Sequence, residues 1–148
     1  MTRFLVILAL LAILALAAGL VPAAVAASSI PAQRPVLLVD GDTVDIDGTR
    51  IRLLDIDAPE SFRSRCEAEL VAGLAAKERL RALLETGPVS YAPKGHDRYG
   101  RTLAHVYAAG ADVGHQLLVE GLALPYEPGR AAKVARLRHW CGPAAELD

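Results

Sequence analysis

The side chains able to do chemistry sit in two short stretches. The first runs Asp40-Gly41-Asp42-Thr43 and, beyond a turn at Asp47-Gly48, Arg52-Leu53-Leu54-Asp55-Ile56-Asp57-Ala58-Pro59-Glu60. The second is Asp97-Arg98-Tyr99-Gly100-Arg101. Together they place Asp42, Asp57 and Glu60 with Arg52 and Arg101 at the ends of short apolar runs. Carboxylates crowded in this way repel one another unless a cation lies between them. A hard divalent cation such as Ca²⁺ accepts carboxylate and carbonyl oxygens. It can then bridge to a phosphate oxygen and stabilise charge that develops there. Arginine forks grip phosphate in a bidentate way that lysine does not match.

Taken singly, each residue has a plain structural role. Asp42 reads as a turn aspartate bonding its own backbone, and Asp57 and Glu60 as solvated loop charges. Arg52 reads as half of a partly buried ion pair with Asp55 or Asp57, and Arg101 as a rim charge. The set points to phosphate chemistry where no member does. The histidines His96, His105, His115 and His139 lack zinc-ligand spacing.

Short strands must position these groups. Val36 to Val39, Thr43 to Ile46 and Thr49 to Ile56 read as a three-strand meander, with Asp47-Gly48 as its two-residue hairpin turn. Arg52 and Asp57 are five residues apart, so a flat strand would send them to opposite faces. A bend near Asp55 or Ile56 is therefore required if both serve one site. Pro59 ends the strand. A helix follows, with Ser64 and Glu67 resembling a capping box. Leu70, Leu74, Leu80 and Leu84 form its apolar stripe, and Gly87-Pro88 stops it. Val89 to Ala92 is a fourth strand, Lys94 to Gly100 a polar loop, and Leu103 to Ala108 a fifth strand. Asp112 caps a second helix from Val113 to Glu120, ended by Gly121, and Arg130 to Trp140 forms a short basic helix. Five short strands with a helix between the third and fourth fit an α+β fold built on a small closed Greek-key barrel of the OB type.

The chain has 148 residues, enough for one domain. Residues 1–26 have the pattern of a signal peptide: Arg3 supplies the positive start, Phe4 to Leu20 is apolar, and Ala24-Val25-Ala26 is a cleavage site. The alternative is an uncleaved membrane anchor. Residues 27–35 read as a linker, leaving 36–148 as the folded domain of a secreted or periplasmic protein. The net charge of −1 argues against a basic coat that binds nucleic acid by charge alone, so any anion site must be local. Cys66 and Cys141, an even pair behind an export signal, point to one disulfide. It would close a loop of about 75 residues and add about 4 kcal/mol. Two buried free thiols are the alternative.

The three acidic and arginine motifs in series resemble the staphylococcal nuclease family, and Gly121-Leu122-Ala123 extends the likeness, which runs from about Val36 to Tyr126. The resemblance implies an OB-fold and Ca²⁺-dependent hydrolysis of phosphodiester bonds in DNA and RNA; separately, the chain is expected to be a monomer. By position the resemblance makes Asp42 and Asp57 the Ca²⁺ ligands, with the backbone carbonyl of Ala58, and puts Asp40 behind them. Glu60 becomes the residue that orients or deprotonates the attacking water, and Arg52 and Arg101 the phosphate clamps. Tyr99 and Tyr126 fall near the bound nucleotide, where a ring can stack on a base or simply pack at the rim. This sequence departs from the family pattern at Asp55, an extra acid that could compete for Arg52. It also has a short Ser61 to Arg65 loop and a short C-terminal end. A non-catalytic OB-fold nucleic-acid-binding module is the competing reading, together with a phosphodiesterase for another phosphate substrate. Degenerate binding modules would be expected to lose the acids or arginines, and all five are present.

Overall fold

The computed structural model describes residues 35–147. The expected signal peptide, residues 1–26, and nearly all of the expected linker therefore lie outside the described residues. Eight strands and three helices follow in order: β1 (Val36–Asp40), β2 (Thr43–Ile46), β3 (Thr49–Leu53), β4 (Ile56–Asp57), α1 (Glu67–Leu84), β5 (Val89–His96), β6 (Thr102–Ala108), β7 (Ala111–Asp112), α2 (Val113–Val119), β8 (Leu124–Pro125) and α3 (Arg130–Cys141). Among the described residues no helix is long and apolar enough to cross a membrane.

The main sheet runs β1-β2-β3-β6-β5, with β7 paired to β6. All its pairs are antiparallel except β3 with β6. The expected α+β, OB-like layout is present, but the expected closure is not. No ladder joins β1 to β5 among the described residues, so the sheet stays open.

Local chemistry accounts for most of these boundaries. Asp47 and Gly48 both take positive φ, 54° and 77°, as a tight hairpin turn between β2 and β3 demands. The expected long third strand is instead two. Asp55 adopts φ 62°, a left-handed conformation that aspartate tolerates better than most residues. The chain turns there, and β4 leaves the main sheet to pair with β8. The fourth strand runs further than expected, to His96, because a bulge between Pro93 and Gly95 lets the ladder continue past the proline.

The helix after the short loop begins at Glu67, later than a Ser64 cap would give. Its N-cap is Cys66, whose Sγ accepts from the Glu69 amide at 3.3 Å. In return the Arg65 amide donates to Glu69 Oε2 at 2.6 Å. The pair resembles a capping box two residues downstream of the expected one, with the glutamate reaching the residue before the cap and not the cap's own amide. The apolar stripe also differs. The buried positions are Glu69, Gly73, Ala76, Leu80 and Leu84, whereas Leu74 is 53% exposed. Helix α2 is capped by the Asp112 side chain on the His115 amide at 3.0 Å, as expected, and turns out at Gly121, φ 71°.

The core lies between the sheet and helices α1 and α2. Val44, Ile46, Ile51, Leu53, Ala104 and Val106 from the sheet meet Ala76, Leu80, Val113 and Leu117 from the helices. Each buried Val, Leu or Ile contributes about 1.5–3 kcal/mol. The Cys66–Cys141 disulfide joins the start of α1 to the end of α3 across 75 residues.

On the surface, Arg79 of α1 grips Glu120 at the end of α2 with two bonds of 2.7 Å. The Arg79 bonds and one from Gln116 pull the Glu120 carboxyl down to about 2. A carboxylate whose folded pKa is depressed stabilises the fold fully above its ordinary pKa, and that contribution fades as pH falls through the folded value. Glu120→Gln should therefore lower Tm at pH 7, with the gap to the natural chain closing by about pH 2. A gap that persists unchanged in acid would mean the pair does not carry the effect.

Candidate active site

The hairpin turn between β1 and β2 sets Asp42 into the protein, 8% exposed. Its Oδ1 accepts from the Thr43 hydroxyl at 3.0 Å. Its Oδ2 accepts from the Ala58 amide at 2.9 Å and meets Arg52 Nη1 at 2.5 Å. Arg52 comes from β3, where Thr43 is its cross-strand neighbour. The other arm of the same guanidinium, Nη2, lies 2.7 Å from Asp57 Oδ1. The turn at Asp55 is what brings Asp57 round to the Arg52 face. One arginine therefore holds two carboxylates that are 15 residues apart.

Burial pushes the Asp42 carboxyl above its ordinary range, against the opposing pull of Arg52 and the Ala58 amide. Asp57 acts as a further repelling charge on it. The Glu60 carboxyl is also raised. Lost hydration in the crowded loop is the largest cause, although the residue as a whole is exposed, and Asp40, Asp42, Glu69 and Asp57 add repulsion. Asp40 closes the other side: its Oδ1 accepts from the Gly41 amide at 2.9 Å, the Ser61 amide at 3.3 Å and the Ser61 hydroxyl at 2.6 Å. Those bonds fix the residue after Glu60 to the end of β1.

Helix α1 supports the loop from behind. A methyl group placed on Gly73 would come within 2.7 Å of the Pro59 and Glu60 backbone, and one on Gly41 within 2.9 Å of the Ala58 methyl. Only glycine permits these approaches. Lys77 of the same helix donates to the Val39 carbonyl at 3.0 Å. The Ser61 to Arg65 loop is short, and it is tied at one end to Asp40 and at the other to Glu69.

The structure thus gathers Asp42, Arg52, Asp57 and Ala58, with Asp40 and Glu60 beside them. Ala58 enters through its amide. Arg101 stands just before β6, whose Leu103 pairs with Arg52 in parallel register. Because residues two apart share a strand face, Arg101 falls on the Arg52 side of the sheet. Its present partner is Asp97, 2.7 Å from Nε. Burial alone would raise the Asp97 carboxyl, but the Arg101 side chain and the Arg101 and Tyr99 amides hold it below its ordinary range. Tyr99 is 69% exposed, between Arg98 and Arg101, which lie 4.7 and 5.6 Å from its ring centre. Tyr126 is half exposed, and its amide donates to the Asp55 carbonyl at 2.9 Å.

Asp55 does not compete for Arg52, as its position in the motif led us to expect. Its exposed carboxylate points to His105 at 3.7 Å instead, because the left-handed turn swings it off the Arg52 face. One residue escaped the sequence reading entirely. Arg136 of α3 is 15% exposed, and its Nε pairs with Asp57 Oδ2. The basic character of the helix was visible in the sequence; nothing local marked which of its arginines turns inward.

The donor chemistry suits a hard divalent cation. Two carboxylates, one of them buried, already converge on a positive centre, and further acids crowd the rim. Oxygen donors of this kind, completed by water or substrate oxygens, match Ca²⁺ or Mg²⁺. Among the described residues Cys66, Glu69 and Cys141 bring three ligand atoms within 4.8 Å of one another, and the two sulfurs are bonded to each other.

Comparison with known proteins gives the family. Residues 50–143 match the family model described as staphylococcal nuclease homologue, a span that starts after Asp40 and Asp42. The chain is 34% identical to the micrococcal nuclease of Shigella flexneri, over 75% of this chain and 74% of that protein. It is 33% identical to an uncharacterized endonuclease of Haemophilus influenzae, over 64% and 52%. It is 36% identical to endonuclease YncB of Bacillus subtilis, over 61% and 47%. The chain thus spans about half the length of the last two.

Gly73→Ala tests how firmly α1 braces the loop. Overpacking against the Glu60 backbone should cost about 1–3 kcal/mol, read from the urea midpoint. An unchanged midpoint would show that the loop yields freely and is not held by the helix.

Proposed function

This chain belongs to the staphylococcal nuclease homologue family, and on that footing we propose that it is an exported, Ca²⁺-dependent nuclease cleaving phosphodiester bonds of DNA and RNA. The observation that carries the reading is the convergence of Asp42 and Asp57 on the Arg52 guanidinium, with the Glu60 loop locked beside them. The nuclease names of its relatives support the reaction class, and the pattern of residues 1–26 supports export.

Asp42, Asp57 and the Ala58 carbonyl are the groups that would hold Ca²⁺, with Asp40 outside them. A bound Ca²⁺ there supplies positive charge to the phosphate oxygens as negative charge develops on them. Arg52 is already placed between the two acids, and a phosphate arriving at the same face takes its bidentate fork. Arg101 exchanges Asp97 for phosphate from the neighbouring strand. Two preorganised guanidiniums then meet the growing charge. Glu60 orients a water in line with the bond to be broken and takes its proton. Tyr99 and Tyr126, both exposed, offer faces on which a base can stack.

Purified protein lacking residues 1–26 should degrade single-stranded DNA and RNA in Ca²⁺ and stop when the ion is chelated. Glu60→Gln should lower kcat by about a hundredfold or more while nucleic-acid binding survives. Hydrolysis that continues in chelator would overturn the metal role. Binding without hydrolysis by the natural chain would show a binding module instead.

A further inference from the structure

We propose that Arg136 is a positioning residue of this site: it holds Asp57 in competition with the divalent cation, and the Cys66–Cys141 disulfide keeps its helix in place to do so. The inference rests on the reading of Asp42 and Asp57 as cation ligands.

Asp57 carries one negative charge and meets two guanidiniums. Arg52 Nη2 takes Oδ1 at 2.7 Å, and Arg136 Nε takes Oδ2. Both carboxylate oxygens are therefore engaged by arginine. Arg136 is not a loose surface chain. Its side chain is mostly buried, its Nη1 donates to the Glu127 carbonyl at 2.9 Å, and its guanidinium lies 5.8 Å from the centre of the Tyr126 ring. The adjacent residues Tyr126 and Glu127 thus hold it over Asp57.

The element that carries Arg136 is tied covalently at its far end. Helix α3 starts at Gly129 with no side-chain cap, and Leu137 is its buried residue. Its last residue, Cys141, is bonded to Cys66, the N-cap of α1. Helix α1 in turn braces the Glu60 loop through Gly73. The disulfide thus links the arginine over Asp57 to the helix behind the site.

Charge decides the consequence. A divalent cation approaching Asp57 meets the positive Arg136 at close range, where repulsion is strong even after solvent screening. Removing that charge, or freeing the helix that delivers it, should make Asp57 a better cation ligand. A merely structural role for α3 gives the opposite sign, since a loosened site binds cations less well.

The experiment is Ca²⁺ titration by calorimetry in the absence of nucleic acid. Arg136→Gln should bind Ca²⁺ about tenfold more tightly than the natural chain. The C66S/C141S variant, and the natural chain reduced with thiol, should shift the same way. Combining C66S/C141S with Arg136→Gln should add nothing beyond Arg136→Gln, because both act through one contact. Should Arg136→Gln fail to fold, the reduced natural chain decides alone. Unchanged or weaker Ca²⁺ binding in Arg136→Gln or on reduction would overturn the proposal, as would additive effects or no Ca²⁺ binding in any form. Hydrolysis is not read in this titration. An inactive protein whose Ca²⁺ affinity rises as described would refute the nuclease reading and leave this inference standing.

Discussion

The site depends on one buried charge that cannot be left alone. Asp42 is nearly sealed from water, and an ionised carboxylate there is costly unless it is paired and hydrogen-bonded. The fold answers with the Arg52 guanidinium, the Ala58 amide and the Thr43 hydroxyl, all on the same carboxylate. That requirement dictates the rest. Arg52 must be on the strand beside Asp42, Ala58 must return to it, and the chain between them must turn sharply. Asp57 is carried to the second arm of Arg52 by the same turn. A pair of this kind adds little net stability over an apolar equivalent. Its value lies in fixing two acids and a guanidinium where a cation and a phosphate can replace their mutual contacts.

The surrounding architecture serves to hold that turn still. Ser61 is bonded to Asp40, Gly73 lets α1 press against the Glu60 backbone, and Cys66 both caps α1 and bonds to the end of α3. The loop that carries the candidate base is thereby held from the strand side and the helix side. An open sheet is enough for this purpose, because the site draws on β1, β2, β3, the entry to β6 and the short β4 that leaves the main sheet.

Much of this was legible in the residues. The acids and arginines stood out by type and order, and the five-residue spacing of Arg52 and Asp57 demanded a bend that Asp55 supplies. Asp47-Gly48, Asp112 and Gly121 announced their turns and cap through local chemistry. What the residues hid was set by contacts distant in sequence. Leu74 fits a helical stripe, yet it faces solvent because Gly73 and Ala76 are the positions pressed inward. The cap is Cys66 and not Ser64, and the disulfide partner of Cys66 lies 75 positions later in the chain. Arg136 looked like any arginine of a basic helix, since its partner lies 79 positions earlier in the chain. Barrel closure could not be read at all, because it depends on how edge strands meet and not on their period.

The central claim is that Arg52 and Asp42 act as a unit, and a double-mutant cycle measures it directly. Urea unfolding of Asp42→Asn, Arg52→Met and the double variant gives the coupling between them. The account predicts that each single change is costly and that the double variant is less destabilised than their sum, with a coupling of about 2–3 kcal/mol. Additive losses would mean the two side chains are neighbours without being partners, and the site would have no such centre.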